Sequence, residues 1–193
     1  MSNAALPNDF IKYELGREII DGIVTKMAPV GTAHSRTNKR LSRFFDDYFE
    51  GTSCEVFEDV YVHLSKKDIF APDIAIVCDL SMIKNDKIYG APELVVKILS
   101  RTTAHRDKVD KKKKYAKFGV KEYWIADPKA KDIEVYYLDD GEFSLNKTYY
   151  TEYEEFDLEV LTEEERAEIT YEITTPLFEG LVVDVREVFK DIP

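Results

Sequence analysis

Cysteine is scarce: Cys54 and Cys78 are the only two among 193 residues. Two cysteines supply neither a disulfide framework nor a zinc site, and both fall in expected strands, so buried free thiols are the expectation. Long apolar runs are missing too, and nothing approaches the ~20 residues of a membrane-spanning helix. The opening MSNAALPNDF has no basic region followed by an apolar one, so no secretory leader is expected and the cytoplasm is the expected location. There is no glycine-rich phosphate loop, no G-x-S-x-G and no zinc-ligand spacing, which removes several enzyme classes at once. Positive charge is in deficit as well. A net charge of −11 argues against a general nucleic-acid binder, which would carry a basic surface.

What is present is a folding composition, with 44% hydrophobic and 12% aromatic residues. The stretch from Pro72 to Pro128 organises the rest. Ile74–Cys78, Leu94–Leu99 and Tyr123–Ala126 have the length and β-branched content of buried strands. Thr103–Phe118 is long enough for a helix, which Gly119 stops. Strand, helix, strand is the βαβ order, predicting a parallel pair with a right-handed crossover. Two polar residues intrude on this core. Alternation places Asp73 on the face of Ala75 and Val77, and Lys97 on the face of Val95 and Leu99. On the helix, Asp107, Lys111, Tyr115 and Phe118 share one stripe, which the aromatics turn toward the sheet.

These residues resemble the Uma-type restriction endonuclease family of bacteria, within the PD-(D/E)XK nuclease superfamily. Its pattern runs P-D, then P-[DE]-L-V-V-E-[VI]-L-S, then D-x-x-x-K-x-x-x-Y, then G-V-x-E-Y-W-x-x-D-P. Here it reads Pro72-Asp73, Pro92–Ser100, Asp107/Lys111/Tyr115 and Gly119–Pro128. The resemblance implies a nuclease that hydrolyses DNA with Mg²⁺ or Mn²⁺. Asp73 would hold the metal, Lys111 would be the catalytic lysine, and Glu18 would be an accessory ligand at the rim. One departure matters. Lys97 stands where the family has glutamate, and an ammonium repels a hard cation that wants oxygen ligands. It should pair with Asp73 instead and weaken or abolish metal binding.

The remaining elements follow in order. Ala5–Gly16 is an irregular or helical lead-in, and Arg17–Met27 a hairpin turning at Asp21-Gly22. An amphipathic helix starts near Thr32, carrying His34 and then Leu41, Phe44, Phe45 and Tyr48. Histidine is common in the family at this point, so a phosphate contact by His34 competes with a structural hydrogen bond. Cys54–Leu64 alternates as one strand, and Ser81–Gly90 reads as a polar connection. A second hairpin turns at Asp139-Asp140-Gly141, Glu152–Arg166 is an acidic irregular arm or a short helix, and Ile173–Val185 reads as a final strand before a short helix. The expectation is one α/β (α+β) domain over 1–193. Its mixed central sheet is restriction-endonuclease-like and flanked by helices, with N-terminal and C-terminal β-hairpins.

Charge is unevenly spread. Arg101–Lys121 holds nine Lys/Arg against two Asp, while Glu152–Glu168 holds nine acids against one Arg. The basic stretch flanks the suspected site, where it would hold a phosphate backbone or serve as an ordinary solvated face. DNA is the expected partner, with a homodimer as the expected assembly and no membrane partner. Asp73, Lys97, Lys111 and Glu18 are the candidate site. Three outcomes suit it: a metal-dependent nuclease, a catalytically silent relative that binds nucleic acid or a protein, or a buried ion network with no ligand.

Overall fold

The computed structural model describes residues 16–192; the lead-in expected over Ala5–Gly16 lies outside them, apart from Gly16. Two six-stranded sheets and a two-stranded one make up its β-structure. The central sheet runs in the order Glu142–Tyr150, Asp132–Asp139, Glu122–Asp127, Leu94–Ile98, Ile74–Val77, Glu55–Glu58. Leu94–Ile98 and Glu122–Asp127 are the parallel pair the βαβ order predicts, and every other pairing in this sheet is antiparallel.

Alternation along these strands sorts the core into two sides. Ile74, Ile76, Leu94, Val96 and Ile98 pack with Trp124 against Leu41, Phe45 and Phe49 of the Thr32–Phe49 helix, and against Val185, Val188 and Phe189 of the Val185–Phe189 helix. Val95, Leu99, Tyr123 and Ile125 face the opposite way, onto Tyr115 and Phe70, while Ala75 and Val77 pack on Val62 and Ile88. The helix between the parallel strands is continuous, with a π-helical segment at Arg106–Lys111 followed by the α-helical Lys112–Phe118. Gly119 ends it in the left-handed conformation at φ 90°, which a side chain would strain.

The second sheet covers the face that carries the polar intruders. Its order is Ile23–Lys26, Arg17–Ile20, Ile69–Phe70, Val62–His63, Lys87–Tyr89, Ile83–Lys84. The Asp21-Gly22 hairpin is present, with positive φ at both turn residues. Several expectations need correction. Cys54–Leu64 is two strands, because the chain turns left-handed at Asp59 (φ 54°) and crosses from the central sheet to the second one. Ser81–Gly90 contains a tight hairpin with Asn85 and Asp86 at positive φ, residue types that tolerate it. Ile173–Val185 is a hairpin of Glu172–Thr174 with Val182–Asp184, since Pro176 and Gly180 break the run. Of the two alternatives for the acidic segment the helical one holds, as two short helices, Glu155–Val160 and Glu163–Ala167, each opened by a reciprocal capping box.

The cysteines are also corrected. Glu55 pairs with Val77, so the next step of the antiparallel register sets Cys54 opposite Cys78, and the two are disulfide-bonded rather than free. The bond closes a separation of 24 residues and ties the edge strand Glu55–Glu58 to its neighbour. Reduction, or Cys54→Ser with Cys78→Ser, should cost about 2–4 kcal/mol of unfolding free energy. A thiol titration of the denatured, unreduced protein checks the premise: no reactive thiol is expected, and two would show that the bond is not formed.

Candidate functional site

The polar intruders meet because of sheet register. Ile74 pairs with Val96 in the antiparallel ladder, so one step further Asp73 stands directly opposite Lys97. Side chains opposite one another on neighbouring strands are in contact. The Lys97 ammonium lies 2.9 Å from Asp73 Oδ2, with both side chains buried. The Ile98 amide donates to the same oxygen at 2.6 Å. The other oxygen, Oδ1, lies 2.8 Å from His34 Nε2 in the first turn of the Thr32–Phe49 helix. An ionised carboxylate only accepts, so Nε2 carries the hydrogen.

The row continues across a third strand. Glu58 pairs with Ile74, so Asp59 falls opposite Asp73, and its amide donates to the Asp73 carbonyl at 3.2 Å. Asp59, Asp73 and Lys97 therefore lie side by side across the sheet. Burial, with the Asp73 charge beside it, holds the Asp59 carboxyl above the ordinary carboxylate range. For Asp73, burial also pushes upward, but the Lys97 charge and the His34 and Ile98 hydrogen bonds outweigh it and hold the carboxyl below its ordinary value. Lys97 is the mirror case. Burial disfavours its charge, and Asp73, Asp107 and Glu18 together keep its pKa above the usual lysine value.

Lys111 sits in a second group of the same cluster. Its ammonium lies 2.5 Å from Glu18 Oε2 and 2.8 Å from Asp107 Oδ1, all three side chains being buried. Glu18 comes from the second sheet, where its Oε1 accepts from the Ala71 amide at 3.0 Å. Asp107 is one helical turn before Lys111, and its Oδ2 accepts from the Thr103 hydroxyl at 2.7 Å. Lys97, Lys111, Glu18, Asp73, Asp59 and His34 all line one small cavity of about 40 Å³. The four residues singled out from sequence thus converge. His34 takes the structural hydrogen bond. Asp107 was visible in the D-x-x-x-K spacing without a role, and Asp59 had no sequence signal, because its position depends on the left-handed turn.

A divalent cation does not fit this arrangement. Mg²⁺ needs near-octahedral oxygen ligands. Both Asp73 oxygens are taken by His34, Lys97 and Ile98, and both Glu18 oxygens by Ala71 and Lys111. No three His, Cys, Asp or Glu side chains among the described residues are grouped to hold a metal ion.

Part of the basic stretch is engaged within the protein. Lys108 pairs with Glu134 at 2.8 Å, Lys114 with Asp21 and Asp68, and Lys112 lies over the Tyr136 ring. With Lys111 also buried, four of its nine cations are engaged by partners within the protein. No helix among the described residues is long and apolar enough to cross a membrane.

Comparison with known proteins places this geometry in context. The model of the Uma2 family, described as "putative restriction endonuclease", matches residues 4–171. An uncharacterized protein of Synechocystis is 26% identical over 145 residues, covering 71% of this chain and 76% of its own length. The crystal structure of a "putative nuclease" from Anabaena variabilis superposes with a TM-score of 0.68 at 16% identity, covering 90% of this chain and 89% of that one. That likeness establishes the shared fold.

The cluster predicts an asymmetric response to mutation. Asp73→Ala leaves the Lys97 charge buried and unpaired and should cost about 3–5 kcal/mol, whereas Lys97→Met leaves Asp73 its His34 and Ile98 hydrogen bonds and should cost much less. Equal, negligible losses in denaturant unfolding would show the pair to be unconnected. Stability should also depend on pH at both extremes. Asp73, lowered from 3.8, stabilises the fold above that value, and the contribution is lost as pH falls through its folded pKa. Lys97, raised from 10.5, stabilises below that value, and the contribution is lost as pH rises through its folded pKa. In Lys97→Met the alkaline loss should shrink.

Proposed function

We propose, from the premise that this chain belongs to the Uma2 family of "putative restriction endonucleases", that it is a nuclease-fold protein resting in a metal-free state. It engages DNA, and phosphodiester hydrolysis at the cluster is suppressed by the Lys97 ammonium. The observation that carries this reading is the 2.9 Å contact between Lys97 Nζ and Asp73 Oδ2. In metal-dependent phosphodiester cleavage, two acids fix a cation that activates water and neutralises the charge developing on phosphorus. Here a fixed positive charge already occupies the carboxylate that would do so. The charge is supplied by the chain itself, without the open coordination positions a reaction needs. Lys111 is held in place between Glu18 and Asp107.

A second reading, that the chain hydrolyses DNA with Mg²⁺ or Mn²⁺, is favoured by one feature. Asp59 lies on the far side of Asp73 from Lys97, so the row keeps two adjacent carboxylates. If Lys97 withdrew, Asp59 and Asp73 would be the adjacent oxygen donors.

Lys97→Glu separates the two. It places a third carboxylate in the row and removes the repelling charge. Calorimetry should show little Mg²⁺ or Mn²⁺ binding by the wild type and clear binding by Lys97→Glu. Cleavage of DNA should be at the chelator background for the wild type and metal-dependent in the variant. Adding Asp73→Ala to Lys97→Glu should remove both. Wild-type cleavage that chelator abolishes would establish the second reading, and cleavage surviving loss of Asp73 would place the chemistry elsewhere.

A further inference from the structure

A larger cleft of about 390 Å³ adjoins the ion cluster, sharing Pro29, His34 and Ser100 with the small cavity. It lies outside the C-terminal ends of Leu94–Ile98 and Glu122–Asp127, the parallel pair. Crevices at the carboxyl ends of parallel strands are where α/β folds hold ligands. Its volume is that of a pocket for a small organic ligand. Its lining is more apolar than polar and includes Pro29, Leu99 and Pro128. The rim carries two cations, Arg101 and Lys129, both solvent-exposed. Neither makes an ion pair among the described residues, in contrast to the paired Lys108, Lys111 and Lys114 of the neighbouring helix. The one acid at the rim, Asp127, is committed to its own turn, its Oδ1 accepting from the Lys129 amide at 2.8 Å and the Ala130 amide at 3.3 Å. An uncapped helix start at Gly31 faces the same space and adds to its positive potential.

An apolar lining beside two unpaired cations suits a molecule with an apolar ring at one end and a phosphate at the other. We propose that this cleft is a nucleotide subsite, taking one nucleoside monophosphate unit with its phosphate at Arg101 and Lys129 and its base against Pro29, Leu99 and Pro128. The guanidinium provides forked donors and the ammonium a point charge, the usual division of labour around a phosphate. The unit belongs either to a nucleic-acid strand passing the cluster or to a free nucleotide. The strand rests on the nucleic-acid reading given above; the free nucleotide does not.

Binding of a labelled short single-stranded oligonucleotide to the full chain, by fluorescence anisotropy at low salt, tests the proposal, with AMP and inorganic phosphate as competitors. Arg101→Glu with Lys129→Glu should weaken oligonucleotide binding by roughly tenfold or more, because two phosphate contacts are reversed. Lys113→Glu with Lys117→Glu makes the same charge change on the exposed helix face and should have much the smaller effect. Competition by AMP but not by phosphate at equal concentration would show that the ring contributes. AMP binding without oligonucleotide binding would assign the cleft to a free nucleotide and overturn the nucleic-acid reading alone. Oligonucleotide binding that survives both pairs of changes equally would overturn the subsite while leaving that reading intact. No binding of any probe would overturn both. Amide shifts in the wild type on AMP titration, expected at Leu99, Arg101 and Lys129, give the answer independently of how the variants fold; shifts confined to other residues would overturn the subsite.

Discussion

A buried ammonium has to be answered by a carboxylate, and much of this molecule is arranged around that requirement. Lys97 is in the middle strands of the central sheet, where desolvation of a lone charge would cost several kcal/mol. Antiparallel register sets Asp73 opposite it, and the strand start places the Ile98 amide on the same carboxylate. His34 then reaches the remaining oxygen from the opposite layer. Each partner fixes one more element: a strand, a helix terminus, a turn. Lys111 repeats the arrangement one layer further, with Glu18 of the second sheet as its counterpart. The two layers of the fold are joined through charges that neither could hold alone.

The charge count explains why a lysine is tolerated at position 97. With a glutamate there instead, Asp59, Asp73 and residue 97 would form an unbroken row of three acids, with Glu18 and Asp107 close behind. Like charges opposite one another on adjacent strands repel, and a row of that kind requires a cation to be stable. The lysine supplies that charge covalently. In this chain the acids of the row are answered by Lys97 and Lys111, so their charges are balanced within the protein itself.

Much of this was legible in the sequence, and the limits have physical causes. The three core strands, their parallel pair and the faces of Asp73 and Lys97 follow from run length and alternation, which are local properties. Lys111 follows from helical spacing in the same way. Asp59 was illegible because one left-handed residue ended its strand early, and an aspartate at positive φ leaves no periodic trace. The cysteine pairing depends on which strand lies beside Glu55–Glu58, which periodicity does not encode. The basic stretch read as a surface, yet Lys108, Lys112 and Lys114 find Glu134, Tyr136, Asp21 and Asp68, partners brought near only by tertiary packing.

The ion cluster also bears on how the chain reaches and leaves its native state. Its members come from the first hairpin, the long helix, the central sheet and the crossover helix, and the Glu18–Lys111 contact spans 111 − 18 = 93 residues. Contacts of such long separation form only after the intervening loop has been closed. Before the two sheets dock, every one of these charges is better off in water. To the extent that the cluster is completed after the folding barrier, it slows unfolding while leaving the folding rate little changed. In that sense it works as a latch, whose strength is measured by the lifetime of the folded protein.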